Sequence, residues 1–332
     1  MNPLSTVERT FGPENMSSRG RKPSTISAPN RTRHRRPVPI WIVGLAFMAP
    51  ALLVYGVFLI YPLFQSVSYS FFDWGGPGRE ATNVGFENFA RVFRDPVFYR
   101  ALLNNAVVVA VSIFIQLPVG LVLAVVITSR LRVKRFFRAV YFLPTLMSTV
   151  AVGILWGFIY NPSYGIINVV LRALGLDFLA QGWLGQSSTA LAAVMVTTVW
   201  TYAPFYMIIY SAAISSLPGD LYEAASIDGA NKLQQFFRLT VPMLRPTIIT
   251  TSVLALIGSI KFFDLIFVMT KGGPSGSTEL LATYVFKQGF TNQQFGYASA
   301  LAVVMLAIAL VATSIVLVRT SMGERTPRKS VT

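Results

Sequence analysis

Cysteine is absent from this 332-residue chain, and histidine occurs once, at His34. The first absence excludes disulfides, thiol catalysis and cysteine metal sites. The second leaves no basis for a histidine-centred metal or acid–base site. Charge is also scarce. Charged residues make up 12% of the chain, against about 25% in a soluble domain. Hydrophobic residues make up 53%. That balance points to a membrane protein. The phosphate loop GxxxxGK[ST] is missing, so the chain is not expected to be an enzyme or to hydrolyse ATP.

Long apolar runs are what the sequence has in excess. Six occur, at roughly 40–63, 103–128, 139–160, 190–213, 247–270 and 297–318. Each matches the ~20 helical residues needed to cross a hydrocarbon core of about 30 Å. Runs of this length mean helices rather than barrel strands, because lipid leaves no partner for an open backbone. Pro50, Pro118, Pro144 and Pro204 lie inside runs, where neighbouring helices can satisfy the freed backbone groups. The expectation is an all-α, polytopic protein with six transmembrane helices over 40–320. A disordered basic tail at 1–39 precedes it and a short tail at 321–332 follows. The first tail is too long, and the run after it lacks a small-residue cleavage site, for a signal peptide.

The formal net charge is +15, which in a soluble protein would suggest nucleic acid. Sorting the 28 Lys and Arg by loop gives another reading. Eight lie in the tail, five at 129–138, three at 214–246 and four after the last run, whereas the three alternate loops share seven and Lys261 lies inside a run. The positive-inside rule then places both termini in the cytoplasm and the 214–246 loop beside them. No nucleic-acid partner is expected. The run Arg130, Arg132, Lys134, Arg135 and Arg138 reads as topology and contact with lipid headgroups.

The 214–246 loop contains EAASIDGANKLQQFFRLTVPMLRP at 223–246. Asp220 and Glu223 fit a capping box for a short helix from about Leu221 to Asp228. Gly229 suits a left-handed stop. A second helix should run from about Asn231 to Leu239, with Pro242 and Pro246 ending it. Ala224 and Ala225 offer a low-relief face; Phe236, Phe237 and Leu239 offer an apolar side to pack on the bundle. On local physics this is a surface helix pair.

The spacing says more. Glu223-Ala224-Ala225, three residues ending at Asp228, then Gly229-Ala230, and later Leu239 and Val241-Pro242, resembles the EAA loop of ABC importer permeases. Leu239 and Val241 are mild departures from the usual aliphatic pair. The segments 48–74, 85–105, 141–176 and 261–286 are similar to carbohydrate-uptake permeases of the maltose and glycerol-phosphate type, so the resemblance covers roughly residues 45–318. It implies a MetI-like ABC importer permease fold in a bacterial inner membrane. It implies a coupling helix that docks on the ATPase through Glu223, Ala224, Ala225, Asp228, Gly229, Ala230, Leu239 and Pro242. It also implies two cytoplasmic ABC ATPase subunits that hydrolyse ATP, a second and different permease, and an extracytoplasmic sugar-binding protein. This chain would then bind no cofactor itself. Two alternatives stay open: a homodimeric ABC permease for a non-sugar solute, and an ion-gradient-driven carrier.

A solute path needs groups that lipid would not tolerate. Lys261 and Asp264 are intramembrane charges, which normally face a cavity or a partner. Their i,i+3 spacing also permits a structural ion pair on one helical face. Phe262 or Phe263 could stack on a sugar. Tyr202, Tyr206 and Tyr210 recur at i,i+4 and either meet solute or pack between helices, with Tyr202 and Tyr206 the better solute candidates. Asn104, Asn105 and Gln116 suit interhelical hydrogen bonds, and Gly153 and Gly157 suit close packing. The loop 270–278, TKGGPSGST, resembles the family's surface facing the binding protein.

Overall fold

A computed structural model describes residues 40–128 and 134–323. The basic tail, Arg130, Arg132 and the chain after Gly323 lie outside them. The described residues divide between Val54 and Tyr55 into two compact units. In the first, the helix begins at Ile40. Its Trp41, Leu45, Phe47, Met48, Leu52 and Leu53 are all exposed. A helix apolar on every side belongs in lipid or against another subunit.

Among the described residues, five helices are long and apolar enough to cross a membrane: Phe47–Tyr69, Pro96–Thr128, Ala190–Ser215, Arg245–Met269 and Phe295–Arg319. We call these spans 1, 2, 4, 5 and 6. The run at 139–160 is not one straight helix. It is a pair, Ala139–Leu146 and Thr149–Ile159, bent by 107°, and is span 3 here. The break falls at Met147–Ser148, where Ser148 leaves helical backbone (ψ 138) to become the N-cap of the second half. Span 2 starts earlier than the hydropathy suggests because Asp95 caps it, accepting from the Val97 N–H at 2.8 Å, and Pro96 takes the first turn, where its missing N–H costs nothing. The helix of span 6 continues to Gly323.

Three π turns share one cause. They are Gly56–Ile60, Ser112–Gln116 and Phe236–Thr240, and each is followed by one residue and then Pro62, Pro118 or Pro242. A proline inside a helix clashes with the carbonyl four residues back. In all three cases that carbonyl lies in the widened turn, and the residue before the proline bonds five back instead: Tyr61 to Gly56, Leu117 to Ser112, Val241 to Phe236. The helix passes its proline without stopping.

Small residues set the closest approaches. A Cβ on Gly120 of span 2 would sit 2.9 Å from Tyr206 Cβ and 3.0 Å from the Ala203 carbonyl of span 4. One on Gly153 would sit 2.6 Å from Val268 of span 5. Gly157, expected to act with Gly153, meets nothing within 4 Å.

At the end away from the 214–246 loop, a two-residue hairpin pairs β1 (Phe72–Asp73) with β2 (Thr82–Asn83). There Asp95 accepts hydrogen bonds from the hydroxyls of Tyr284 and Tyr297, and Arg91 lies 4.1 Å from the Tyr297 ring centre. Burial pushes the Asp95 carboxyl up, but those hydroxyls and the Val97 and Phe98 amides outweigh it and hold its pKa below the ordinary value.

Candidate functional site: a loop helix pair and a cavity at a broken span

The loop between spans 4 and 5 folds as two short helices. The first is Gly219–Ile227. Its N-cap is Pro218, with φ −62 and ψ 125, and no side chain caps it. The expected Asp220–Glu223 capping box is therefore absent: Pro218 starts the helix early and leaves Asp220 inside the first turn, where its charge opposes the positive helix end. Gly229 has φ +80. Its N–H bonds to Ser226 O at 3.2 Å and the next, Ala230 N–H, to Ala225 O at 2.9 Å, the paired closure of a Schellman stop.

Asn231 and Gln234 then form a reciprocal capping box, at 2.8 and 2.9 Å, for Lys232–Gln235. Pro242 does not end this second helix, as the sequence suggested; the π turn Phe236–Thr240 carries the chain through to Val241–Met243. Two polar clasps hold the pair together: Gln235 donates to Ser226 Oγ at 2.9 Å and to Ala230 O at 3.1 Å, and the Tyr222 and Thr240 hydroxyls lie 3.0 Å apart. Gln235 and Thr240 are buried, while Phe237, expected on the packing side, is 61% exposed. Its neighbours in sequence explain this: Phe236 and Leu239 already fill the half-buried side. Glu223, Ala224, Asp228, Ile227 and Leu233 are also exposed. The loop thus presents a fixed, mixed apolar and acidic surface.

Span 5 is interrupted within its length. Its first helix ends at Ile260, and the second begins at Asp264. Lys261 N–H reaches Ile257 O and Phe262 N–H reaches Ser259 O, each at 3.3 Å, so the last turn tightens and stops. Asn105 of span 2 secures the break. Its amide nitrogen donates to Ser259 O at 2.9 Å and Ile260 O at 3.3 Å, and its oxygen accepts from Leu281 N–H at 2.9 Å. Asn104 similarly holds the 270–280 loop through Ser277 O and Glu279 O.

The break opens a cavity of about 440 Å³. Lys261, Phe262, Asp264, Tyr202 and Tyr206 all line it. Phe263, Phe205, Thr198, Thr145, Ser112 and Gln116 are also in its wall. Among the described residues the one ion pair is Lys287–Glu279, at 3.8 Å. Lys261 and Asp264 are both exposed to the cavity side rather than joined to each other, because the unwound Phe262–Phe263 takes them off a common helical face. Gln116, expected to bond between helices, is 4% exposed and its Oε1 has no partner. Tyr210 is not in the wall; it bonds Thr251 at 2.7 Å in the packed interior. Sequence reasoning missed Thr145, Ser112 and Phe205, which sit on other spans with no pattern linking them to span 5. The only available signal for the break was a charged pair inside an apolar run.

Residues 116–320 match the family described as binding-protein-dependent transport system inner membrane component. The chain is 41% identical over 271 residues to the probable ABC transporter permease protein YurN of Bacillus subtilis, covering 81% of this chain and 92% of that protein. It is 35% identical over 283 residues to the diacetylchitobiose uptake system permease protein NgcF of Streptomyces coelicolor, covering 82% and 80%. Its fold matches a chain in the crystal structure of a bacterial ABC transporter involved in the import of the acidic polysaccharide alginate, with a TM-score of 0.75 and 25% identity over 86% of this chain and 96% of that one. The chain belongs to the ABC transporter permeases, the inner membrane components of binding-protein-dependent transport systems.

Proposed function

We propose that this permease imports a saccharide, supplying part of the path and the docking surface for its motor. The cavity carries this reading. A sugar needs ring faces for its C–H surface and hydrogen-bonding groups for its hydroxyls. Phe205, Phe262, Tyr202 and Tyr206 supply the first, and Thr145, Thr198, Gln116, Lys261 and Asp264 supply the second. The orphan Gln116 oxygen gives a hydroxyl an unused acceptor. Relatives are named for diacetylchitobiose and alginate, which supports a carbohydrate over an amino acid or an ion.

In this reading the Glu223–Pro242 loop docks on a cytoplasmic ABC ATPase. Two such subunits hydrolyse the ATP, and their closure moves the loop and opens the bundle outward. An extracytoplasmic sugar-binding protein delivers the solute. A second, different permease completes the path, and both termini of this chain lie in the cytoplasm. Mass spectrometry of the complex purified in mild detergent tests the assembly. Recovery of an ATPase, a second permease and a binding protein is the expected result; an ATPase alone would favour a homodimer, and no ATPase would revive an ion-driven carrier.

The site has its own test. Asp264→Asn should weaken saccharide uptake about tenfold, the loss of one charged hydrogen bond, and leave membrane abundance and melting unchanged. A structural ion pair predicts the reverse, loss of stability. Unchanged uptake would remove Asp264 from the path.

A further inference from the structure

We infer that a strip of aromatic rings forms a second carbohydrate-binding surface, a track leading from the far end of the molecule to the cavity at the break in span 5. Phe263 lines that cavity. Its ring stacks on Phe267 at 5.0 Å, Phe267 meets Phe286 at 5.0 Å, and Phe286 stacks on Phe290 at 5.0 Å. Phe290 meets Phe295 at 5.6 Å, and Phe295 meets Trp74 at 5.5 Å. Phe263 also meets Phe286 at 5.5 Å, so six rings from three separate parts of the sequence make one contiguous group, a triangle at the cavity extended by Phe290, Phe295 and Trp74.

The strip differs from the core in one respect. Phe98, Tyr206, Tyr210, Tyr284 and Tyr297 are buried, but none of the six strip rings is. Phe290 is 67% exposed, and the other five are half-buried. Each keeps part of its surface open. Polar groups accompany the rings at both ends. Lys261 and Asp264 stand beside Phe263 at the cavity. At the other end Arg79 donates to Gln293 at 2.8 Å and packs against Gly75, next to Trp74. Lys287, between Phe286 and Phe290 in sequence, keeps 54% of its side chain exposed.

This pairing identifies the occupant. Aromatic faces are electron-rich and attract the weakly positive C–H surface of a sugar ring. Amide, guanidinium and ammonium groups alongside meet its hydroxyls. The stacked pairs Phe263–Phe267 and Phe286–Phe290 turn one face of each ring to its neighbour, so a saccharide passing along the strip meets the ring surfaces that remain exposed. The track rests on the carbohydrate reading above and extends it from one cavity to a route.

The experiment uses the whole transporter in its membrane and radiolabelled diacetylchitobiose, lactose and maltotriose as probes. Phe267→Leu and Phe290→Leu remove ring faces and keep apolar volume. Each should slow uptake of the transported probe about tenfold while ATP hydrolysis and the amount of complex stay at wild-type levels. Phe267→Tyr and Phe290→Tyr keep the rings and should keep the uptake. Wild-type uptake by both Leu variants overturns the track. Loss of the second permease from the Leu complexes overturns it too, and assigns the strip to subunit packing. If the wild type imports none of the three probes, the carbohydrate reading itself fails and the track with it, before any variant is compared.

Discussion

Asn105→Leu should leave little assembled permease in the membrane. The variant keeps the volume of the side chain and removes all three of its hydrogen bonds. Two carbonyls at the end of one half of span 5 and the N–H of Leu281 lose their partner. Asn105 is 3% exposed, so water does not replace it. Each buried group left unpaired costs roughly 1–3 kcal/mol, a large part of the stability of an ordinary domain. The defect falls where the span is already interrupted, so the two halves should separate and the cavity wall should lose its shape. Melting of the detergent-purified complex checks this, with Asn104→Ala as the control. Asn104 is half-buried and holds only loop carbonyls, so its loss should be milder. Equal melting of Asn105→Leu and wild type would remove the clasp.

Gly229→Val should abolish transport while the protein still reaches the membrane. The reason is conformational, not steric crowding: a Cβ added at Gly229 meets nothing within 4 Å. The cost comes from φ +80, where an ordinary residue is strained by about 1–2 kcal/mol and a β-branched one by more. The chain can relieve that strain by giving up the Schellman stop, which turns the two loop helices against each other and misaligns the exposed surface of Glu223, Ala224 and Ile227. Gly229→Asn should retain most uptake, because Asn tolerates the left-handed region. ATP-driven uptake in membrane vesicles, normalised to the amount of complex, separates the variants. Normal uptake by Gly229→Val would count against the loop as the coupling element.

Much of this architecture was readable beforehand because its signals are local. Apolar runs longer than a bilayer crossing gave the spans, and Gly229 between two polar stretches gave the turn. What escaped was decided by groups distant in sequence. Nothing in Lys261-Phe262-Phe263-Asp264 breaks a helix by propensity; the break stands because Asn105 of another span takes the carbonyls it frees. Pro144 was visible, but the bend in span 3 falls beyond it, at Met147–Ser148. Pro242 reads as a stop unless the preceding turn widens. The aromatic strip could not be read at all, since Trp74, Phe263 and Phe290 become neighbours only on folding.

The widened turn ahead of Pro118 has a consequence for how this chain can change length. Ser112–Gln116 holds one residue more than regular helical winding requires. Deleting one of them would restore that winding and keep everything beyond it in phase, but would return the carbonyl four residues back to its clash with Pro118; deleting a residue of the regular helix before the turn would rotate everything beyond by about 100°. Gly120 would swing away from Tyr206 and Ala203, and a larger side chain would enter a contact that admits no Cβ. Single-residue insertions and deletions should therefore be tolerated in the loops and excluded from the regular helix of span 2 ahead of this turn, so that the span keeps its residue count while its connections vary.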